Sequence, residues 1–460
     1  MKPSQDNTPS PALTTLSDVI HWREALLQLH TGLASHFARP EPFQRALRFV
    51  QGILSSVERK NAWQLAEQAR EATPYGMQRL LSGAVWDVDG VRDDIRAFAL
   101  QQVGSGHVIA AIDETGFLKR GKHSAGVGKQ HYGPTGDLRN CQVGVFLSLV
   151  TPAGHTLIDR ELYVPADWTD DLARCQQVGI PATVPFRTKP QLAILMLQRL
   201  KLAQVSIEWV VADSVYGSNP DLRTWLETQK QPYVMAIACD EPVVLHLPKV
   251  GVRRLEVRDM PARLSASCWQ QLSMSEGTKG PRLFDWACLP IWHQGRDDGW
   301  HSLLIRRTIE PTPDLTYYLV FAPPDTSLLA KVTALGARWR IEEDFENGKD
   351  LGLDHYEVRS FVGWYRHVTL VMLAMTFLTS ITLAARTPST ARLAASRHPA
   401  EAVMPADLCP LSAPEARRLL ARLLFPPPAS VTLVFAWSAW RRWHQRMACF
   451  FHTRRRVKAG

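Results

Sequence analysis

Two stretches one hundred positions apart decide how this chain is read: His107-Val-Ile-Ala-Ala-Ile-Asp113 and Ile207-Glu-Trp-Val-Val-Ala-Asp213. Each is a short apolar run of the kind that forms a buried strand, and each closes on an aspartate. A lone aspartate after a strand ordinarily caps a turn. Two strands that end alike instead put two carboxylates on a rigid scaffold.

The texture around them is that of an α/β protein. Cys141 to Val150, Leu157 to Val164 and Tyr233 to Ala238 read as further strands, while Pro190 to Leu202 and Asn219 to Gln229 read as helices. Three strands, helix, strand, helix, strand is the layout of a mixed sheet. Residues 240–330 carry no long helical period but hold alternating runs at Ala287 to Trp292, Ser302 to Arg307 and Thr316 to Phe321, which predicts a β-rich insertion. The expected organisation is a disordered leader at 1–20 and a helical N-terminal domain at 21–104, for DNA binding or dimerisation, with Ala62 to Arg70 behind an Asn61 N-cap as one of its helices. Core sequence follows at 105–239, the insertion at 240–330, the second part of the core at 331–385, a proline-rich linker at 386–411 and a basic helical region at 412–460.

A third acidic position comes from Arg338-Trp-Arg-Ile-Glu342-Glu-Asp-Phe-Glu346-Asn-Gly-Lys349. At about 100° per residue, Arg338, Glu342 and Lys349 fall within about 40° of one another on a helix. Glu343 lies well round the helix, and Glu346 is a possible substitute for Glu342. Two acids at strand ends and one on a later helix suit a two-metal phosphoryl-transfer site. Mg²⁺ takes oxygen ligands and keeps positions open for water and phosphate, and a metal pair can serve both the attacking and the leaving oxygen.

Taken together, these residues resemble the ribonuclease H-like core of DDE transposases. The chain is most similar to bacterial insertion-sequence enzymes with a Tyr-Arg-Glu-Lys signature, and to the insertion-sequence 701 group in particular. The stretches AIDETGFLKRGKHS, VVADSVYG and RWRIEEDFENGKDLGLDHYEVRSFVGWYRH carry the resemblance, which extends from about Glu58 to His452. Arg338, Glu342 and Lys349 match the signature, and Leu335 stands where it has Tyr. The resemblance implies Asp113, Asp213 and Glu342 as catalytic metal ligands and Mg²⁺ as cofactor, two ions per site, with Mn²⁺ able to substitute. It also implies double-stranded DNA, both element ends and target, as the partner of a homodimer. The alternative is a catalytically silent descendant that only binds DNA. The presence of all three acids and Lys349 argues against it.

Composition agrees with a polyanionic partner. Lys and Arg number 53 against 44 Asp and Glu, a formal charge of +9, and from Val431 onward there are seven cations and no carboxylate. Beside Arg338 and Lys349, the expected DNA contacts are Lys119, Arg120 and Lys122 in a Gly-rich loop after Asp113. Arg441, Arg442, Arg454, Arg455 and Arg456 near the C-terminus complete the set. Trp437, Trp440 and Trp443, at a spacing of three, read as the apolar face of a helix. The seven cysteines lack any CxxC spacing and suit buried thiols in a reducing compartment. The N-terminus has no signal-peptide pattern, so a cytoplasmic protein is expected, and the resemblance implies one associated with a bacterial nucleoid. Val368 to Ala385 is 18 residues without a charge. Its threonines predict a buried core helix, with no membrane partner.

Overall fold

The apolar run before Asp113 opens β1 (Ile109–Leu118) in a computed structural model that describes residues 14–247, 251–277, 280–292, 299–310, 312–386, 410–425 and 430–459. It is followed by β2 (Gly128–Tyr132), β3 (Asp137–Val150), β4 (His155–Tyr163), β5 (Trp209–Ala212) and β6 (Tyr233–Ile237). β1 pairs antiparallel with β3 and parallel with β5, and β5 pairs parallel with β6. β4 lies antiparallel on the far side of β3. The spatial order β4-β3-β1-β5-β6, with β3 alone reversed, is the ribonuclease H-like arrangement.

Two expectations are corrected at once. β1 does not stop at Asp113, because β3 goes on pairing with it from Asp113↔Phe146 to Leu118↔Cys141, and Phe117 is buried beyond the carboxylate. The stretch after it is not all loop either, since Gly128–Tyr132 pairs with the start of β3.

The β-rich insertion is confirmed in content and altered in placement. β7 (Pro242–Leu247) and β8 (Gly251–Glu256) form a separate hairpin, while β9 (Gln270–Gly277), β10 (Gly280–Pro290), β11 (His301–Arg307) and β12 (Leu315–Phe321) extend the main sheet. β12 joins β6 antiparallel at Tyr317↔Ile237, giving ten strands among the described residues. The open edge of β6 would otherwise leave a row of unpaired backbone groups.

The chain divides into two compact units, Arg96–Glu346 with the sheet, and the described residues of Met1–Ile95 and Asn347–Gly460. The second unit is helical. Its first helix, Leu16–Gly32, starts inside the expected leader because Thr15 and Asp18 form a capping box; residues 1–13 lie outside the described residues. At its centre is Phe361–Arg386, in which every residue from Arg366 to Leu378 is buried. This is the one helix among the described residues long and apolar enough to cross a membrane, but burial on all sides is the mark of a core helix. It packs on helices Pro40–Leu54, Tyr75–Ser82 and Ala413–Leu423, so it belongs with the helical unit and not with the second part of the core. In the C-terminal helix Val431–Ala459, Trp437 is buried and donates to Glu71 O at 2.9 Å, and Trp440 packs edge-on against Trp63. Trp443 is exposed. Of the linker, residues 387–409 lie outside the described residues.

Candidate active site

Pairing of β1 with β5 ends at Ile112↔Ala212, which sets Asp113 and Asp213 side by side one residue further on. Neighbouring strands lie about 4.8 Å apart, so the two carboxylates share one small volume. Asp213 caps the short helix Ser214–Gly217, accepting from Val215 N at 2.9 Å, and Asp113 accepts from Glu114 N at 2.7 Å. Gly217 is dictated by space: a Cβ there would meet Ala236 O at 1.9 Å.

Arg338 brings in the third acid. Its guanidinium lies 3.7 Å from Asp113 Oδ2 and donates to Glu342 Oε1 at 2.9 Å. Arg338, expected from the sequence to contact DNA, is thus held between two carboxylates. Burial, then the charges of Asp213 and Glu114, push Asp113 up to about 7, and burial followed by Glu114 raises Asp213. The two aspartates are thus short of positive charge.

Beneath them lies a fourth carboxylate that sequence reasoning passed over. Glu114 accepts from Lys189 Nζ at 2.6 Å and from Tyr216 OH at 2.6 Å. Tyr216 is fully buried, and its phenol is held well above the usual range by that burial and by Glu114. Lys189 opens helix Lys189–Leu202, where the dipole disfavours a cation, and Glu114 offsets that cost. A lysine at the first position of a helix was the available signal.

A second network fixes the helix Trp339–Asp350 that carries Glu342. Asp344 is buried and accepts from Ser148 Oγ at 2.5 Å and from His155 Nδ1 at 2.9 Å, while His155 Nε2 lies 3.2 Å from Glu343. Burial alone would lower His155, but Asp344 and Glu343 outweigh it and hold the ring at about 9. Burial works the other way on Glu343, yet bonds from His155 and Arg340 bring it to about 2. Glu343 thus holds the helix down, and Glu346 is exposed.

Other expected contacts are not gathered here. Arg120 and Lys122 are exposed and, with Lys119, follow the far end of β1, about 20 Å of strand from Asp113. Lys349 is half-buried in the last turn of its helix. Arg441 is committed to Glu67 at 2.5 Å, whereas Arg442 and Arg454 are exposed; the side chains of Arg455 and Arg456 lie outside the described residues.

Among the described residues no three Asp, Glu, His or Cys side chains stand close enough to hold one ion, since Arg338 holds the Glu342 carboxylate. The donor chemistry nonetheless fits a hard divalent cation: adjacent, half-buried carboxylates, one pushed to about 7 by burial and by its negative neighbours.

A ribonuclease H-like sheet with paired aspartates, faced by a helix-borne glutamate, defines a class of enzymes that act on phosphodiesters. Residues 32–281 match the family described as DDE superfamily endonuclease, and residues 188–377 match the transposase DDE domain. The chain belongs to the DDE superfamily and is a DDE-type transposase. It is similar to the probable transposase for insertion sequence element IS701 of Microchaete diplosiphon, 24% identical over 328 residues that cover 68% of this chain and 78% of the relative. Alignment with a piggyBac transposase synaptic complex with hairpin DNA covers 95% of this chain and 79% of that one, with 13% identity and a TM-score of 0.36.

Proposed function

We propose that the chain binds the ends of its own mobile element as a homodimer, cleaves them by hydrolysis and transfers the freed 3′-hydroxyls to target DNA, at the nucleoid of a bacterial cell. The observation that carries this reading is the juxtaposition of Asp113 and Asp213 at the end of β5 pairing, with Arg338 joining Asp113 to Glu342. Asp113 and Asp213 would hold the cation, and Glu342 would join them on leaving Arg338. Mg²⁺ or Mn²⁺, two ions per site, supplies Lewis-acid polarisation of the phosphate and a more acidic attacking hydroxyl. Released from Glu342, Arg338 provides a guanidinium for the charge that develops on the phosphate. Lys189 and Tyr216 hold Glu114, and through it the mouth of β1, in place.

The test is nicking of labelled element-end duplex by the purified protein. Asp113→Asn, Asp213→Asn and Glu342→Gln are each expected to lose at least about a hundredfold in rate while still binding DNA. Activity is expected with Mg²⁺ or Mn²⁺ and not with Ca²⁺ alone, whose looser coordination suits an in-line reaction poorly. Near-normal nicking by any of the three variants removes that residue from the site, and turnover in chelator defeats the mechanism.

A further inference from the structure

The helical unit holds a second concentration of positive charge, distant in sequence from the carboxylates. A cleft of about 730 Å³ is lined by Arg39, Glu41, Arg45 and Arg79, with Ala84 in its wall. Arg45 is taken up by Glu71 at 2.8 Å. Arg39 and Arg79 are exposed and make no ion pair among the described residues. Arg39 is also the N-cap of helix Pro40–Leu54 and makes no side-chain capping bond, while Glu41 in the first turn offsets the positive end of that helix.

Arg366 lies against the wall of this cleft. It is 7% exposed, donates from Nη2 to Ala84 O at 2.5 Å and sits 5.3 Å over the Trp86 ring. Its Nε and Nη1 have no acceptor, and no carboxylate pairs with it among the described residues. A buried guanidinium without a counter-charge is costly to the fold, and an anion seated at Ala84 would relieve it.

We propose that this cleft is a phosphodiester site that seats the backbone of duplex DNA, with Arg39 and Arg79 on phosphates and Arg366 raising the potential of the Ala84 wall. The proposal rests on the reading of the chain as a DNA transposase. Planar guanidinium forks match phosphate oxygens in pairs. Contacts of this kind fix position on the duplex and carry no sequence information.

The test is fluorescence anisotropy of labelled element-end and random duplexes over a salt series, with nicking by the wild type measured alongside. Two phosphate contacts at about 0.9 each predict that Arg39→Gln combined with Arg79→Gln lowers the slope of log affinity against log salt by about 1.8, equally on both duplexes. Arg366→Met is expected to raise the thermal midpoint of the free protein and to reduce the further rise that saturating duplex confers. An unchanged slope in the double variant overturns the site, as does displacement of duplex by polyglutamate as effectively, per charge, as by unlabelled DNA. If Arg366→Met fails to fold, the double variant, whose residues are exposed, still decides. A wild type that neither binds nor nicks duplex defeats the transposase reading itself. A wild type that does both, with the slope unmoved in the variant, defeats only the cleft.

Discussion

At Asp113 stability and function pull in opposite directions. Its carboxyl titrates at about 7, above the ordinary 3.8, so the fold gains from the protonated form below about 3.8 and loses that gain as pH rises through 7. In metal-free protein at pH 8, Asp113→Asn should therefore raise the thermal midpoint, by about 3–6 °C, while it abolishes nicking. Calorimetry in chelator checks the first part, and a lowered midpoint would mean that Asp113 is already neutralised by its neighbours. Tyr216→Phe makes a subtler cut. It keeps the buried ring and removes only the bond to Glu114, which Lys189 still holds, so we expect a roughly tenfold lower nicking rate with little change in DNA affinity. A weaker affinity at an unchanged rate would show that Tyr216 serves the fold and not the carboxylates. Asp113 and Asp213 were legible as candidates because the apolar strand runs before them announce them, and Glu342 because it shares a helix face with Arg338 and Lys349. The partnership of Glu114, Lys189 and Tyr216 was not, since hydrogen bonds between residues 75 and 102 positions apart leave no local pattern.

Among the elements, the helix Trp339–Asp350 shows what periodicity could and could not say. Periodicity separated Glu342 from Glu343, and the structure turns Glu342 to Arg338 and Glu343 to His155. It gave no hint that Asp344 would be buried against Ser148 and His155, because the cost of burying a carboxylate is met by partners on other strands. Asp344→Asn should cost about 3 kcal/mol of stability, the usual penalty for breaking a buried pair, and should slow nicking by loosening the Glu342 helix. The pH dependence has a definite sign. His155 is raised, so its contribution is complete below its ordinary 6.5 and is lost as pH climbs through about 9. Glu343 is lowered, so its contribution is complete above its ordinary 4.5 and is lost as pH falls toward 2. The anchor is strongest between these ordinary values, and the difference in thermal midpoint between wild type and His155→Gln should shrink from pH 6.5 to pH 9.5. A difference that stays constant over that range would show that the imidazolium charge adds nothing. The course of β1 beyond Asp113 was misread for a related reason: the carboxylate looked like a terminus, while the antiparallel partner β3 keeps the strand extended to Leu118.

Across the whole molecule, composition pointed to a polyanionic partner but said nothing of the allocation of elements. The helix Phe361–Arg386 follows the Glu342 helix in sequence and was assigned to the core with it, yet its apolar surface on all sides is covered by helices from the first hundred residues and by Ala413–Leu423. Adjacency in sequence cannot say which of two units completes such a helix. The charge is also less concentrated in the tail than a count suggests, for Arg441 is spent on Glu67 while Arg442 and Arg454 remain exposed. Removal of residues 454–460 takes away Arg454, Arg455, Arg456 and Lys458 and none of the carboxylates at the sheet. If all four cations lie on phosphates, each releases counterions on binding, and the truncated protein should show a salt slope shallower by up to about 3.6 with weaker binding on every sequence alike. The loss should appear in the DNA concentration for half-saturation and leave the maximal nicking rate in place. A filter-binding titration from low to high salt measures the slope directly. An unchanged slope would assign the tail to solvation and leave the phosphate contacts to the rest of the chain, where a drop in the Arg39→Gln, Arg79→Gln variant would then locate them.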